Sequence, residues 1–301
     1  MLQLLLGGSG SGKTTLLYQR IRARAEKGEK SILLVPEQFT SSTEGRIYRE
    51  LGDALSGMVE SFSFTSLAEK ILSTEGGAAV QTLSDAGRAV LVRRALEELQ
   101  DNVHYYHRHR RSAAFCQMAA QTIDELKSAG LSGQQLAQLA GACGAESGKL
   151  SELALIFQGY ETLLARSGMD PSDRLELAGA RLEEALARHS LPEFLRDRAV
   201  FIDEFDTFNA PKKRLLGAML AALPSVTVAL CDDGAPLLPG DLSLFSGAKQ
   251  VAAQLRQLAR KNGAEVAVPQ LLRKDLRHRN APGLAAVAEL LETGSCTADA
   301  P

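Results

Sequence analysis

Hydrophobic and polar positions change their period twice along the chain. Up to about residue 83, short apolar runs, "LQLLLG", "SILLVP" and "MVESFSF", alternate with stretches in which apolar residues recur every three or four positions. The runs read as strands and the three-to-four spacing as amphipathic helices. Helices are expected from Lys13 to about Lys27, through "TEGRIYRELGDAL", and in "TSLAEKIL", where Thr65 or Ser66 would be the cap and Glu69 would complete a capping box. This alternation is the mark of parallel βαβ units.

From about Ser84 to Phe194 the pattern becomes helical throughout. "LSDAGRAVLVRRALEEL", "AAFCQMAAQTIDELKSAG" and "LSELALIFQGYETLLARSG" each place apolar residues at i, i+3, i+4 and i+7. Strands then return as "RAVFIDEF", "SVTVALCD" and "AEVAVP", with helices between them. The expected fold is therefore α/β: a parallel sheet flanked by helices, interrupted by a large all-helical insertion. Its segments would be 1–83 and 197–301 for the sheet domain and 84–196 for the insertion.

Chemistry enters with "LLLGGSGSGKTTLL". Gly7, four residues, Gly12, Lys13 and Thr14 match GxxxxGK[ST], directly after a strand and before a helix. Its glycines let backbone N–H groups turn toward phosphate oxygens, and the helix N-terminus adds partial positive charge. The candidate nucleotide-binding residues are Gly7, Gly8, Ser9, Gly10, Ser11, Gly12, Lys13, Thr14 and Thr15. Lys13 would reach the β- and γ-phosphates and the Thr14 hydroxyl would be a Mg²⁺ ligand. "AVFIDEFDTF" then supplies Asp203 as a second Mg²⁺-side ligand and Glu204 as a candidate general base. "ESGKL" around Lys149 is not a second such loop, because three residues separate its glycines and Leu150 stands where a hydroxyl is required.

Charge changes the picture only locally. The 34 basic and 36 acidic side chains nearly cancel, so attraction for nucleic acid must come from clusters. One is "HYYHRHRRS", residues 104–112, in which Arg108, Arg110 and Arg111 are interleaved with tyrosines; a solvated loop is the alternative reading. His104, His107 and His109 lack a neighbouring carboxylate or cysteine to complete a metal site. The absence of Trp argues against extensive stacking platforms. Cys116, Cys143, Cys231 and Cys296 are scattered and read as reduced thiols. The apolar start is too short for a signal h-region or a membrane span, so a cytoplasmic protein without a membrane partner is expected, and "TGSCTADAP" reads as a frayed tail.

The same residues resemble a known family. "FIDEFDTFN" is similar to the "DEFQDTN" element of superfamily-one DNA helicases of the UvrD and RecB kind, without its glutamine. "SFSFTSLAEKIL" is similar to their "TFHSLAxRIL" segment, and "TVALCDD" resembles their "VGDxxQ" strand, again without the glutamine. "LVPEQFT", "SFSFTSLA" and "LSDAGRAVLVRRAL", with the early phosphate loop, most resemble the AddB-type subunits of bacterial ATP-dependent helicase/nuclease complexes.

That resemblance implies a P-loop NTPase domain of the RecA-like kind that uses ATP and Mg²⁺ and serves DNA-end processing in double-strand break repair by homologous recombination. It implies DNA and an AddA-type helicase-nuclease subunit as partners. It also implies that this chain is an N-terminal part, with a second RecA-like domain and a nuclease domain carrying an iron–sulfur cluster in a later C-terminal part. Single-stranded DNA would be faced by Gln38, Phe39 and Thr40 and by Ser63, Phe64 and Thr65. The lost glutamines imply weakened coupling of hydrolysis to movement, whereas Asp203 and Glu204 retain the acidic pair. "LRKDLRHRNAPGLAAVAELL" resembles the segment opening the second domain, where Arg277 or Arg279 would approach the phosphates; solvated arginines before a helix are the alternative. Two other functions stay open: a stand-alone P-loop kinase or phosphotransferase, and a non-motor scaffold holding ATP structurally.

Overall fold

The computed structural model describes residues 1–144 and 147–293. They form two units. The first takes Met1–Leu67, Leu182–Phe208 and the chain from Leu216 on. Its sheet consists of β1 (Leu2–Gly7), β2 (Ser31–Leu34), β3 (Val59–Phe62), β4 (Ala199–Ile202), β5 (Ser225–Cys231) and β6 (Gln270–Leu272), in the order β3-β2-β4-β5-β1-β6. Every pairing is parallel. All residues of β2 and β4 are buried, as is usual where helices cover both faces of a parallel sheet. This is the expected α/β sheet, and returning crossovers bring the ends of β1, β4 and β5 side by side.

The helices, in chain order, are α1 (Lys13–Ala25), α2 (Thr40–Leu51), α3 (Asp53–Ser56), α4 (Phe64–Glu75), α5 (Asp85–Glu98), α6 (Ala113–Ser128), α7 (Gly133–Ala140), α8 (Ser147–Ser167), α9 (Pro171–Ala187), α10 (Ala210–Ala222), α11 (Ser246–Lys261) and α12 (Pro282–Thr293). The second unit, Ala68–Arg181 with Asn209–Leu215, is helical. Val92, Ala95, Leu96, Phe157 and Tyr160 lie at the centre of its core. A Cβ on Gly159 would meet the Ala95 Cβ at 3.2 Å, so the glycine is what lets α8 approach α5 so closely. A polar knot sits beside this core: Lys127 Nζ donates to Asp170 at 2.7 Å and Asp173 at 2.8 Å, and the Tyr160 hydroxyl donates to Asp170 at 2.5 Å.

Local chemistry changes three of the expected elements. "TEGRIYRELGDAL" is not one helix: Gly52 takes φ 77° and ends α2, leaving α3 as a separate turn. "AEVAVP" does not form a strand; Val266 makes a single bridge to Leu2, then Pro269, which has no N–H to give a ladder, precedes β6. The cap of α4 is Ser63, not Thr65 or Ser66. Ser63 Oγ accepts from the Ser66 N–H at 3.1 Å, and Ser66 Oγ accepts from the Ser63 N–H at 2.8 Å, a reciprocal cap that leaves Glu69 to pair with Arg174. Cys116, Cys143 and Cys231 form no disulfide. Cys296 and residues 294–301 of the expected frayed tail lie outside the described residues. No helix among the described residues is long and apolar enough to cross a membrane.

Candidate functional site

Residues 8–12 connect β1 to α1 across the C-terminal edge of the sheet, where ligands of parallel α/β folds gather. Gly10 (φ 81°) and Gly12 (φ 90°) take left-handed backbone that other residues resist, and Gly12 caps α1 with its N–H groups unclaimed by any side chain. Lys13 folds back over the loop, its Nζ donating to the carbonyls of Gly7 at 2.7 Å and Gly8 at 2.8 Å. The ammonium is thus held at the mouth of the loop before any anion is engaged.

β4 ends in Asp203, whose N–H continues the sheet ladder to the Leu34 carbonyl at 3.1 Å. Its carboxylate is 6% exposed and accepts from the Thr14 hydroxyl. Burial raises the Asp203 pKa above the usual carboxylate range, and the charge of Glu204 adds to the rise; the Thr14 bond and the Lys13 charge oppose it. Glu204 follows with φ 64°, a conformation costly for a residue with a Cβ, and its N–H donates to Asp203 Oδ1 at 3.0 Å. Phe205 and Phe208 anchor the turn by packing on Phe64, with ring centroids 5.2 and 6.0 Å away. The exposed Glu204 side chain therefore leaves a fixed backbone.

Lys13, Thr14, Asp203 and Glu204 line one cavity of about 510 Å³, together with Arg46 and Arg277. Residue types and placement fit a magnesium nucleotide: loop N–H groups and an ammonium for phosphate oxygens, and a hydroxyl bonded to a carboxylate as hard oxygen ligands. A larger cavity of about 630 Å³ lies in the helical unit. Its cations are already matched, Lys127 by Asp170 and Asp173 and Arg214 by Glu176, so the smaller cavity has the better claim to an anionic ligand.

The structure adds residues that motif spacing did not reveal. Arg46, from α2, enters the cavity with its guanidinium 4.9 Å above the Tyr18 ring. The Tyr18 hydroxyl has its pKa pushed up to about 12, chiefly by burial. The segment after β6 crosses the loop: Leu276 N–H donates to the Gly10 carbonyl at 3.0 Å and Arg277 Nη1 to Ser9 Oγ at 3.1 Å. Of the two arginines considered there, Arg277 lies on the loop, and Arg279 is exposed. A basic residue pointing inward from an otherwise amphipathic helix leaves no signature in sequence, so Arg46 could not be singled out.

The remaining candidates are dispersed. Gln38 and Phe39 are exposed in a short 3₁₀ turn that leads into α2 at Thr40, whose hydroxyl donates to the Glu37 carbonyl. Ser63 and Phe64 are buried, the one as a cap and the other in the aromatic cluster, while Thr65 is exposed. Arg108 and Arg111 are exposed and Arg110 half-buried, in the helical unit. No group of three His, Cys, Asp or Glu among the described residues is arranged to hold a metal ion.

Comparison with known proteins agrees with this arrangement. A model of the family described as "ADDB, N-terminal" matches residues 4–288. The AddB-type ATP-dependent helicase/deoxyribonuclease subunit of Desulforudis audaxviator is 34% identical over 296 residues, covering 94% of this chain and 25% of that protein. The Moorella thermoacetica protein of the same name is 33% identical over 299 residues (94% and 25%), and that of Symbiobacterium thermophilum 31% over 313 (96% and 26%). The chain thus spans about a quarter of the length of the curated relatives it matches.

Proposed function

Because the chain belongs to the ADDB N-terminal family, we propose that it is the ATP–Mg²⁺-binding portion of a helicase/nuclease subunit that acts on DNA ends. The observation that carries this reading is the placement of Lys13 at the loop mouth beside the bonded Thr14–Asp203 pair. Lys13 and the loop N–H groups hold the phosphates, Thr14 and Asp203 take the cation, and Glu204 orients a water. Bound Mg²⁺ would draw charge from the phosphate oxygens. Single-stranded DNA meets Gln38, Phe39, Thr40 and Thr65, at the starts of the helices after β2 and β3. An AddA-type subunit is the proposed partner.

Arginines that stabilise charge on a transferred phosphoryl group act only when brought into register with it. Arg277 donates to Ser9 and so is not aimed at a phosphate. The chain alone is therefore expected to bind ATP well and to turn it over slowly. Titration with a fluorescent ATP analogue, with and without Mg²⁺ and single-stranded DNA, tests the reading. Equal nucleotide binding by wild type and Lys13→Ala would refute it.

A further inference from the structure

The loop of residues 104–112 is built around a buried anion. Glu152 of α8 is 7% exposed, and its carboxylate accepts from three successive backbone N–H groups. Oε1 takes those of His104 at 2.7 Å and Tyr105 at 3.0 Å; Oε2 takes those of Tyr105 at 2.9 Å and Tyr106 at 3.2 Å. Consecutive N–H groups converging on one anion form a nest, and here the anion comes from the protein. The loop is fixed on its far side as well. Tyr106 stacks on Phe115 with centroids 5.4 Å apart, His109 lies 5.6 Å from the same ring, and Val103 is buried in the core.

Two consequences follow for the side chains. Glu152 spends its oxygens on backbone, so it pairs with no arginine of the loop, and residues 104–112 contain no acid of their own. The nearest acidic residues of α5 are paired within that helix, Arg93 with Glu97 and Arg94 with Glu98. Arg108 and Arg111 point to solvent and form no ion pair with any described residue; the Arg110 guanidinium meets the His107 ring at 3.1 Å. Three guanidinium groups on a rigid turn match the spacing of a polyanion without the ordering cost of a flexible tail. The aromatics meanwhile are engaged inward, except Tyr105, which is 58% exposed. A surface that offers cations and almost no stacking face suits phosphates rather than unstacked bases.

We infer that residues 104–111 form a preorganised contact for the sugar–phosphate backbone of double-stranded DNA, with Arg108 and Arg111 as the contacting groups and Glu152 as the residue that positions them. This rests on the reading that the chain acts on DNA, and gives the helical unit its own share of that binding. It separates duplex binding here from single-strand binding at the helix starts of the sheet unit.

The test uses the 301-residue chain and a fluorescently labelled duplex of about 20 base pairs and random sequence, with a single strand of equal length as the second probe. Arg108→Ala/Arg111→Ala, which changes exposed side chains only, is expected to weaken duplex binding about tenfold at about 0.1 M salt and to lower the slope of log K against log salt by about 2. Binding of the single strand should change less than twofold. Glu152→Gln keeps the volume but turns an amide donor toward the nest. It is expected to accelerate amide exchange at 104–106 and weaken duplex binding at least threefold, with the salt slope kept. Duplex binding unaltered by the arginine substitutions, or equal losses for duplex and single strand, would overturn the inference while leaving the nucleotide reading intact. Unaltered duplex affinity in Glu152→Gln despite faster exchange would make Glu152 structural only. A wild-type chain that binds neither probe defeats the DNA reading itself.

Discussion

The Thr14 hydroxyl donates to the Asp203 carboxylate, joining the first turn of α1 to the end of β4 across 189 residues of sequence. One hydrogen bond thus assembles the two halves of a cation site before any cation arrives, and it draws on both ends of the chain that the helical unit separates.

Lys13 is the first residue to test. Its ammonium makes charge-assisted bonds, each worth about 1.5–3 kcal/mol. Lys13→Ala is expected to weaken ATP binding about 10- to 100-fold with little change in melting temperature, read by titration and thermal denaturation on the same samples.

Asp203 carries opposite signs for stability and for binding. Its raised pKa means that the folded chain holds the proton more tightly than the unfolded chain. Stability from this group is therefore present at low pH and lost as pH rises through the folded value. Asp203→Asn should raise the melting temperature at pH 7 relative to wild type, by an amount that shrinks toward pH 4. It should also abolish the Mg²⁺ dependence of nucleotide binding. A variant that is less stable than wild type at pH 7 would contradict the sign.

Glu204 separates binding from chemistry. Glu204→Gln is expected to leave ATP affinity within about twofold and to reduce hydrolysis by about 100-fold or more. Glu204→Gly relieves the left-handed backbone, worth about 1 kcal/mol, and should raise the midpoint of urea unfolding while losing hydrolysis equally.

Gly10 carries the contact between the phosphate loop and the segment that crosses it. A Cβ there would lie 2.7 Å from the Arg277 Cβ, and φ 81° disfavours any side chain. Gly10→Ala should cost about 1–2 kcal/mol and weaken nucleotide binding. Adding Arg277→Gly should recover part of the stability, measured as a double-mutant cycle.

In the helical unit, Lys127→Met would leave Asp170, 1% exposed, without its cation. A loss of about 3–5 kcal/mol is expected at pH 7. Asp173, already above the usual carboxylate range through burial, takes up a proton as pH falls, so the defect should shrink between pH 7 and 5. Denaturant unfolding at both pH values measures it.

The strands that surround the site were legible because each is a continuous apolar run bounded by turn residues, and the phosphate loop because its spacing and its strand-helix setting coincide. The limits of "AEVAVP" and of α4 were not. Pro269 and Ser63 each act through a backbone hydrogen bond that is lost or redirected, and apolar period is blind to such bonds. Arg46, the Leu276 crossing and Glu152 escaped for a different reason. Each meets partners 28 to 266 residues away, or, for Glu152, a row of N–H groups that any sequence at 104–106 would supply.

By itself the sequence determined the alternation of strand and helix, the helical character of the middle stretch, and which short segments bear phosphate-binding and acidic chemistry, because these follow from local period and residue type. Only the tertiary structure decided that Thr14 and Asp203 share a hydrogen bond, that Arg46 and Arg277 reach the same cavity, and that Ser63 and Phe64 face inward while Thr65 faces out. Those outcomes depend on sheet order and on which helix face is covered. Both are settled by burying apolar surface over the whole chain, which no local window contains.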